Sequence, residues 1–322
     1  MSFMRSKRYL VTFLLCGWYI GSSAQSQQVT KYIEQITGLI KKNSIVGRQI
    51  DWDKYEKDIA ILSRNMNNID SCKPVLDYII NTLRENGDKH SVFIGKARVE
   101  KASSSSPPPA PPQSRLLGAH TGYIKVPGIM SFNDQVNAAF SDTIQQLIKK
   151  LDTENDIKGW IVDLRHNTGG GMRPMVAGLN ALIPDGIAGY WIYTGSKKRK
   201  WYSVGRNLLG TGKFYKIKDL SSPIAVLIDS FTASSGEMTA ISFLGRPNVK
   251  TFGQPSAGYT TANNTFILAN GAMLALAVSY TADRQKKVYK DNIIPDVLIK
   301  ENTATADDTI DAAVKWVMNG GG

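Results

Sequence analysis

Ile224-Ala225-Val226-Leu227-Ile228-Asp229-Ser230-Phe231-Thr232-Ala233-Ser234-Ser235-Gly236-Glu237-Met238 is a run of five apolar residues, a polar turn and the start of a helix. An unbroken apolar run suits a strand buried on both faces, as the strands of parallel sheets are. In open α/β sheets, ligand sites lie at the carboxyl ends of strands. A serine there has its oxygen near the unsatisfied N–H groups that open a helix, which favour developing negative charge. Ser234-x-x-Glu237 is also a capping box, a common pattern that needs no function.

The same pattern stands upstream. Gly159 to Leu164 is almost continuously apolar, and Asp163-Leu164-Arg165-His166-Asn167-Thr168-Gly169-Gly170-Gly171 leads from it into a second helix. Consecutive glycines let backbone amides approach a ligand closely, and backbone N–H groups are what an oxyanion hole requires. A plain glycine turn is the simpler alternative. A phosphate loop is disfavoured because no Gly-Lys-Ser or Gly-Lys-Thr follows. Tyr123 to Ile129 reads as a strand and Phe132 to Leu151 as an amphipathic helix, so the pattern predicts α/β layers from residue 118 onward.

The flanking regions differ. Residues 28–100 carry apolar residues at helical spacing (Ile33, Ile36, Ile40; Leu76, Ile79, Ile80, Leu83) and predict a small N-terminal helical region closed by Gly87. Residues 101–117, containing ASSSSPPPAPPQ, read as an exposed linker. Residues 118–322 then form the core. Within it, residues 188–218 are aromatic and basic and read as a β cap. They hold Lys197, Lys198, Arg199, Lys200, Arg206, Lys213, Lys216 and Lys218, and no acid. Thr265 to Tyr280 predicts a hairpin turned at Asn270-Gly271, and Asp307 to Met318 a final helix.

Composition is that of an ordinary globular protein, 42% apolar and 20% charged. Arg5, Lys7 and Arg8, an apolar run from Tyr9 to Ile20, and Gly21-Ser22-Ser23-Ala24 predict a signal peptide over residues 1–24. A permanent N-terminal membrane anchor is the weaker alternative, since a membrane-spanning helix needs roughly 20 apolar residues. Bulky Leu15 before Cys16 argues against lipidation. The expected location is therefore exported: periplasmic, envelope-associated or secreted. Loss of the leader leaves Cys72 alone, without an internal disulfide or a Cys/His cluster for metal, and it is expected to be a buried thiol. The formal charge is +12; the leader has three basic residues and no acid, so the remainder carries +9. In an exported chain that excess points to an acidic envelope or an anionic substrate rather than nucleic acid.

A serine is nucleophilic only when something takes its proton. The chain has three histidines, His90, His120 and His166. His90 sits in Gly87-Asp88-Lys89-His90-Ser91 just past a helix end, His120 before the Tyr123 strand, and His166 in the glycine turn. Position alone does not choose among them.

DLRHNTGGG, TASSGEM after a buried strand, and Gly253-Gln254-Pro255-Ser256-Ala257-Gly258 resemble the tail-specific (C-terminal processing) serine peptidases, over about residues 118–300. Asn248-Val249-Lys250-Thr251-Phe252-Gly253, Ala257-Gly258-Tyr259-Thr260-Thr261-Ala262-Asn263 and Asp283-Arg284-Gln285 are similar to the nisin-resistance branch of that family. The resemblance implies a Clp-protease/crotonase-like α/β core with a β cap and a helical region in front. It implies Ser234 as nucleophile and His90 as base. It also implies an oxyanion hole from the Ser235 N–H and an amide of the glycine turn, Gly169 or Gly170. Tyr259 stands where lysine-dependent members have their catalytic lysine, so a Ser–His pair is implied rather than Ser–Lys. No PDZ-like segment lies between His90 and Gly118. The acidic partner of tricorn-type members, near Pro295-Asp296, has no clear equivalent, with Asp291 nearby.

The sequence thus reads as an exported serine endopeptidase that cleaves peptides or protein tails by acyl transfer, with no metal or organic cofactor. A lanthipeptide and the cell's own envelope proteins are both candidate substrates. The rival from another class is a catalytically silent peptide-binding or immunity protein using the same cleft. A crotonase-like acyl-CoA enzyme is disfavoured by the leader.

Overall fold

The computed structural model describes residues 17–104, 108–196, 198–203, 214–300 and 307–322. The expected leader lies outside the described residues as far as Cys16, and its remainder is the start of a helix. The chain divides into two units. One holds the described residues up to Lys96 together with Thr265–Ala275; the other holds Ala97–Asn264 and Leu276–Gly322.

The first unit consists of helices α1 (Gly17–Asn43), α2 (Trp52–Ser63) and α3 (Lys73–Glu85) and strand β1 (Val92–Ile94). Tyr32, Ile36, Ile40, Tyr55, Ile79 and Leu83 are its largest fully buried side chains, and Cys72 is fully buried as well. Asp51 caps α2 by accepting from Lys54 N–H. α3 ends as Gly87 predicts. Gly87 N–H donates to Arg84 O and Asp88 N–H to Leu83 O, a Schellman motif with Gly87 at φ +99°. β1 pairs antiparallel with Met273–Ala275, and Ala269 N–H donates to Gln35 Oε1. The far end of the predicted hairpin therefore belongs to the helical unit. A three-residue strand and a hairpin tip are too short for periodicity to reveal either fact.

The second unit begins with α4 (Lys96–Ser104). Then come β2 (Gln113–Leu117), β3 (Thr121–Lys125), α5 (Asp134–Glu154), β4 (Gly159–Asp163) and α6 (Met172–Leu179). Next are β5 (Gly186–Tyr193), β6 (Lys198–Ser203), β7 (Ile224–Ile228), α7 (Ser235–Ile241) and β8 (Val249–Gly253). β9 (Thr261–Ile267) and β10 (Met273–Asp283), whose facing ends belong to the first unit, β11 (Val288–Tyr289), β12 (Val297–Leu298) and α8 (Asp308–Met318) complete it. The stretch read as a linker is thus structured at both ends, by α4 and β2. Serine and proline content marks only its middle.

The main sheet has the order β12-β8-β7-β4-β3-β2, parallel except for β2 at its edge. β4 and β7 are buried along their whole length because both faces are covered. Alternate residues Ile161, Ala225 and Leu227 pack with Phe252 against Ile310, Ala313 and Trp316 of α8. The others, Trp160, Val162, Val226 and Ile228, join Ile144, Ile148, Met175 and Leu179 of α5 and α6. This is an α/β three-layer unit, as predicted. β5 pairs with β6 and with Ser279–Asp283 of β10, and β10 with β11, in a second, antiparallel sheet. The expected cap segment supplies β5 and β6; its Lys197, Arg206 and Lys213 lie outside the described residues.

Candidate active site

β4 and β7 are parallel neighbours, so the two turns singled out in the sequence leave the sheet side by side at its carboxyl edge. One carboxylate braces both. Asp229 accepts from the N–H groups of Phe231 and Thr232 in its own turn and from His166 N–H in the other. Thr232 Oγ1 donates to Leu164 O at 2.9 Å, and Ala233 N–H to Asn167 O at 2.9 Å. Asn167 is fully buried; its Nδ2 holds Val126 O and its Oδ1 accepts from Gly169 N–H at 3.0 Å. Asp229, Thr232 and Asn167 were not singled out as site residues. The Asp229-x-x-Thr232 spacing, a side-chain-closed turn after a strand, was the signal available.

Ser234 opens α7 at φ +53°, ψ −118°, a region L-residues avoid. Such a conformation persists only where its surroundings over-determine it, and those places are commonly functional. Here the surroundings are explicit. Ser234 N–H donates to Glu237 Oε2 at 2.8 Å, Ser234 O accepts from Met238 N–H, and the preceding residue is tied to Asn167. The Glu237 arm of the capping box read from the sequence is formed, and it holds the serine in its strained turn. The side chain is half-buried.

Two glycines, Gly236 and Gly169, permit the close contact of the two turns, and a third, Gly170, permits that of the glycine turn with Ile129. A Cβ on Gly236 would lie 2.5 Å from Asn167 O, one on Gly169 would lie 3.0 Å from Ser234 Cβ, and one on Gly170 would lie 2.0 Å from Ile129 O. Of the two glycines expected to offer an oxyanion donor, Gly169 has its N–H engaged by Asn167. Ser235 and Gly170 have N–H groups that meet no acceptor among the described residues. The two residues are joined directly, because Ser235 Oγ donates to Gly170 O at 2.7 Å.

Glu237 is fully buried, with both oxygens engaged. Oε2 takes the Ser234 N–H, while Oε1 accepts from Ser256 Oγ at 2.5 Å and from Gly258 N–H at 2.8 Å. Burial raises its pKa above the usual glutamate value, against the opposing pull of hydrogen bonds from Ser256, Gly258, Ser234 and the Tyr259 backbone. It links the serine turn to the 256–260 loop that carries Tyr259. The Asp291 carboxylate lies against Gly258 in the same loop. Asp296 instead holds Thr251 N–H and Oγ1 in β8.

The histidines separate clearly. His120 precedes β3, with its ring on Asp156 O and its carbonyl on Lys158 N–H, at the amino edge of the sheet. A five-residue strand, about 16 Å, parts that edge from the turn bearing Ser234. His166 is at the carboxyl edge, but its exposed ring stacks on Phe231 and its Nδ1 lies 3.4 Å from Asp229; it makes no hydrogen bond to Ser234. His90 belongs to the first unit. There the buried Asp88 accepts from His90 N–H and Ser91 N–H and from Ser91 Oγ, fixing the turn between α3 and β1.

Residues 120–299 match the model of peptidase family S41. A nisin-resistance protein of Lactococcus lactis subsp. lactis is 32% identical over 84% of this chain and 80% of its own. Among solved structures, a lipoprotein from Streptococcus agalactiae superposes with a TM-score of 0.73 at 25% identity, covering 96% of this chain and 99% of that one. A peptidase fold from Parabacteroides merdae superposes with a TM-score of 0.60 at 15% identity, over 91% and 97% of the two chains.

Proposed function

The chain belongs to peptidase family S41, and on that premise we propose that it is an exported serine endopeptidase with Ser234 as nucleophile and His90 as base. Its fold is the Clp-protease-like α/β arrangement of its solved relatives, and its substrates are peptides or proteins. In the proposed reaction His90 takes the Ser234 hydroxyl proton as Oγ attacks the scissile carbonyl. The tetrahedral oxyanion is held by the N–H groups of Ser235 and Gly170. His90 then gives its proton to the leaving amine, and water hydrolyses the acyl-enzyme by the same steps.

The observation that carries this reading is the strained Ser234 turn, pressed against a glycine turn, with the N–H groups of Ser235 and Gly170 meeting no acceptor among the described residues. Ser–His chemistry rather than Ser–Lys is supported by Tyr259, which occupies the Glu237-held loop in place of a lysine. Export is supported by the sequence of residues 1–24; no described helix is long and apolar enough to cross a membrane. The relative's name makes a lanthipeptide one candidate substrate, and envelope proteins are the other.

The cap favours substrates with an acidic segment or a free carboxylate. Lys198, Arg199 and Lys200 are exposed on β6, whereas Lys216 is tied to Asp185 and to the carbonyls of Asn180 and Ile183. The first three supply the positive field. An active-serine fluorophosphonate distinguishes the enzyme from a silent peptide-binding protein of the same fold: the enzyme is labelled at Ser234, the binding protein is not.

A further inference from the structure

Building on that reading of Ser234, we propose that the Ser235 hydroxyl is a positioning group that holds the two oxyanion donors at a fixed spacing. Those donors are the N–H groups of Ser235 and Gly170. They belong to different turns, which Asp229, Thr232 and Ala233 already tie together near Leu164–Asn167; the bond that reaches Gly170 itself is the one from Ser235 Oγ to Gly170 O, 2.7 Å long.

The peptide planes around Gly170 show why this bond matters. Gly169 O accepts from Ile129 N–H at 3.1 Å. A trans peptide is planar, so the Gly170 N–H on that plane points to the opposite side, away from Ile129. The next plane is held by Gly171 N–H on Ile129 O at 2.6 Å, which turns Gly170 O away from Ile129 and onto Ser235. Ile129 thus grips Gly170 from behind, and the Ser235 hydroxyl grips it from the side of α7. Gly170 stands at φ +106° with no side chain to steady it. Among the described residues, no other side-chain hydrogen bond joins α7 to Gly170.

The other end of the bond is equally fixed. Ser235 is 8% exposed, and its own carbonyl accepts from Thr239 Oγ1 at 2.7 Å within α7. A hydroxyl at this position therefore does more than carry the backbone N–H beside the nucleophile. Without it, Gly170 keeps its contacts to Ile129 but loses its tie to the helix. The remaining ties hold the turns together at Asn167 and Ile129, but the spacing of the two donors loses its direct restraint, just where preorganisation matters most.

The test compares the wild type with Ser235→Ala and Ser235→Thr, the second of which keeps a hydroxyl. Three measurements are made: the rate of fluorophosphonate labelling, kcat and KM for p-nitrophenyl butyrate, and inhibition by a peptide aldehyde whose hemiacetal oxygen occupies the hole. Deleting an oxyanion donor outright lowers kcat about 10²–10³-fold, so loosening one in Ser235→Ala should lower kcat and labelling by about 10–100-fold. KM should stay within about twofold and the aldehyde Ki should rise by the same factor that kcat falls, the pattern of an interaction made in the transition state. Ser235→Thr should recover most of the loss. A purely structural role would lower thermal stability and leave the aldehyde-to-substrate affinity ratio unchanged. If the wild type labels at Ser234 and Ser235→Ala labels equally fast with unchanged kcat, the positioning role is wrong. If the folded wild type does not label at all, the serine-peptidase reading beneath it fails instead.

Discussion

The backbone of Gly169 rests against the side chain of Ser234, so closely that a Cβ on the glycine would stand 3.0 Å from the serine Cβ and 2.9 Å from Ala233 O. The two residues come from different turns, 65 positions apart, which the Asp229 carboxylate and the bond from Ala233 N–H to Asn167 O hold together.

The next glycine of that turn, Gly170, is expected to be irreplaceable. Gly170→Ala would place a methyl 2.0 Å from Ile129 O, backbone that cannot rotate away. Activity should fall by at least about 100-fold through the displaced donor. Gly118→Ala is the control: φ is +57° but nothing lies within 4 Å. It should lose only about 1–2 kcal/mol of stability to left-handed strain and retain kcat. Denaturant melts and steady-state rates on both variants make the comparison.

His90→Ala should be nearly as damaging as loss of the serine, since members of a nucleophile–base pair act as a unit. His120→Ala should be mild, because His120 sits at the amino edge of the sheet on Asp156. His166→Ala should change rates less than tenfold, because its backbone N–H, not its ring, meets the shared Asp229 brace most directly. A ranking by kcat/KM in which His166 matters more than His90 would reassign the base.

Arg165 offers a stability test. It spans Asp163, which is fully buried, and Asp307, the cap of α8, with bonds of 2.7–3.0 Å. Arg165→Met leaves the buried Asp163 carboxylate without its cation and should cost about 3–5 kcal/mol, read in urea melts. Asp307 is subject to opposing influences: burial pushes its carboxyl up, but hydrogen bonds from Arg165 and Ile310 N–H outweigh this and hold it below the usual aspartate value. Its contribution is therefore present above the unfolded value and lost as pH falls through the lower folded one. Asp307→Asn should flatten the acid limb of the stability profile below about pH 4.

Matched acidic and basic peptides, assayed at low and high salt, test the cap. Lys198, Arg199 and Lys200 should favour the acidic peptide at low salt, and the preference should shrink as salt screens it. Equal kcat/KM for both, unmoved by salt, would remove any steering role and leave these residues as protection for an edge strand.

The core and the serine turn were legible because their signals are local. Ile224–Ile228 and Gly159–Leu164 are apolar at every position, as burial on both faces demands, and Ser234-x-x-Glu237 announces a helix start. What was hidden is contact between distant segments. Nothing near Thr265–Ala275 indicates that this tip would join the helical unit through Gln35 and β1. Gln113–Leu117 sits beside a proline run and still forms an edge strand, where a single partner suffices. That the N–H of Gly169, and not that of Gly170, is taken up inside the turn depends on the Asn167 side chain reaching two residues along its own turn, and a row of three glycines does not reveal it.

The central claim is that Ser234 is a nucleophile made reactive by His90. The most direct measurement is fluorophosphonate labelling of the folded protein, with the modified residue located by peptide mass spectrometry. The account predicts one adduct, on the peptide bearing Ser234, absent in Ser234→Ala and slowed at least about 100-fold in His90→Ala. A folded wild type that takes up no probe, or an adduct that survives Ser234→Ala, would contradict it.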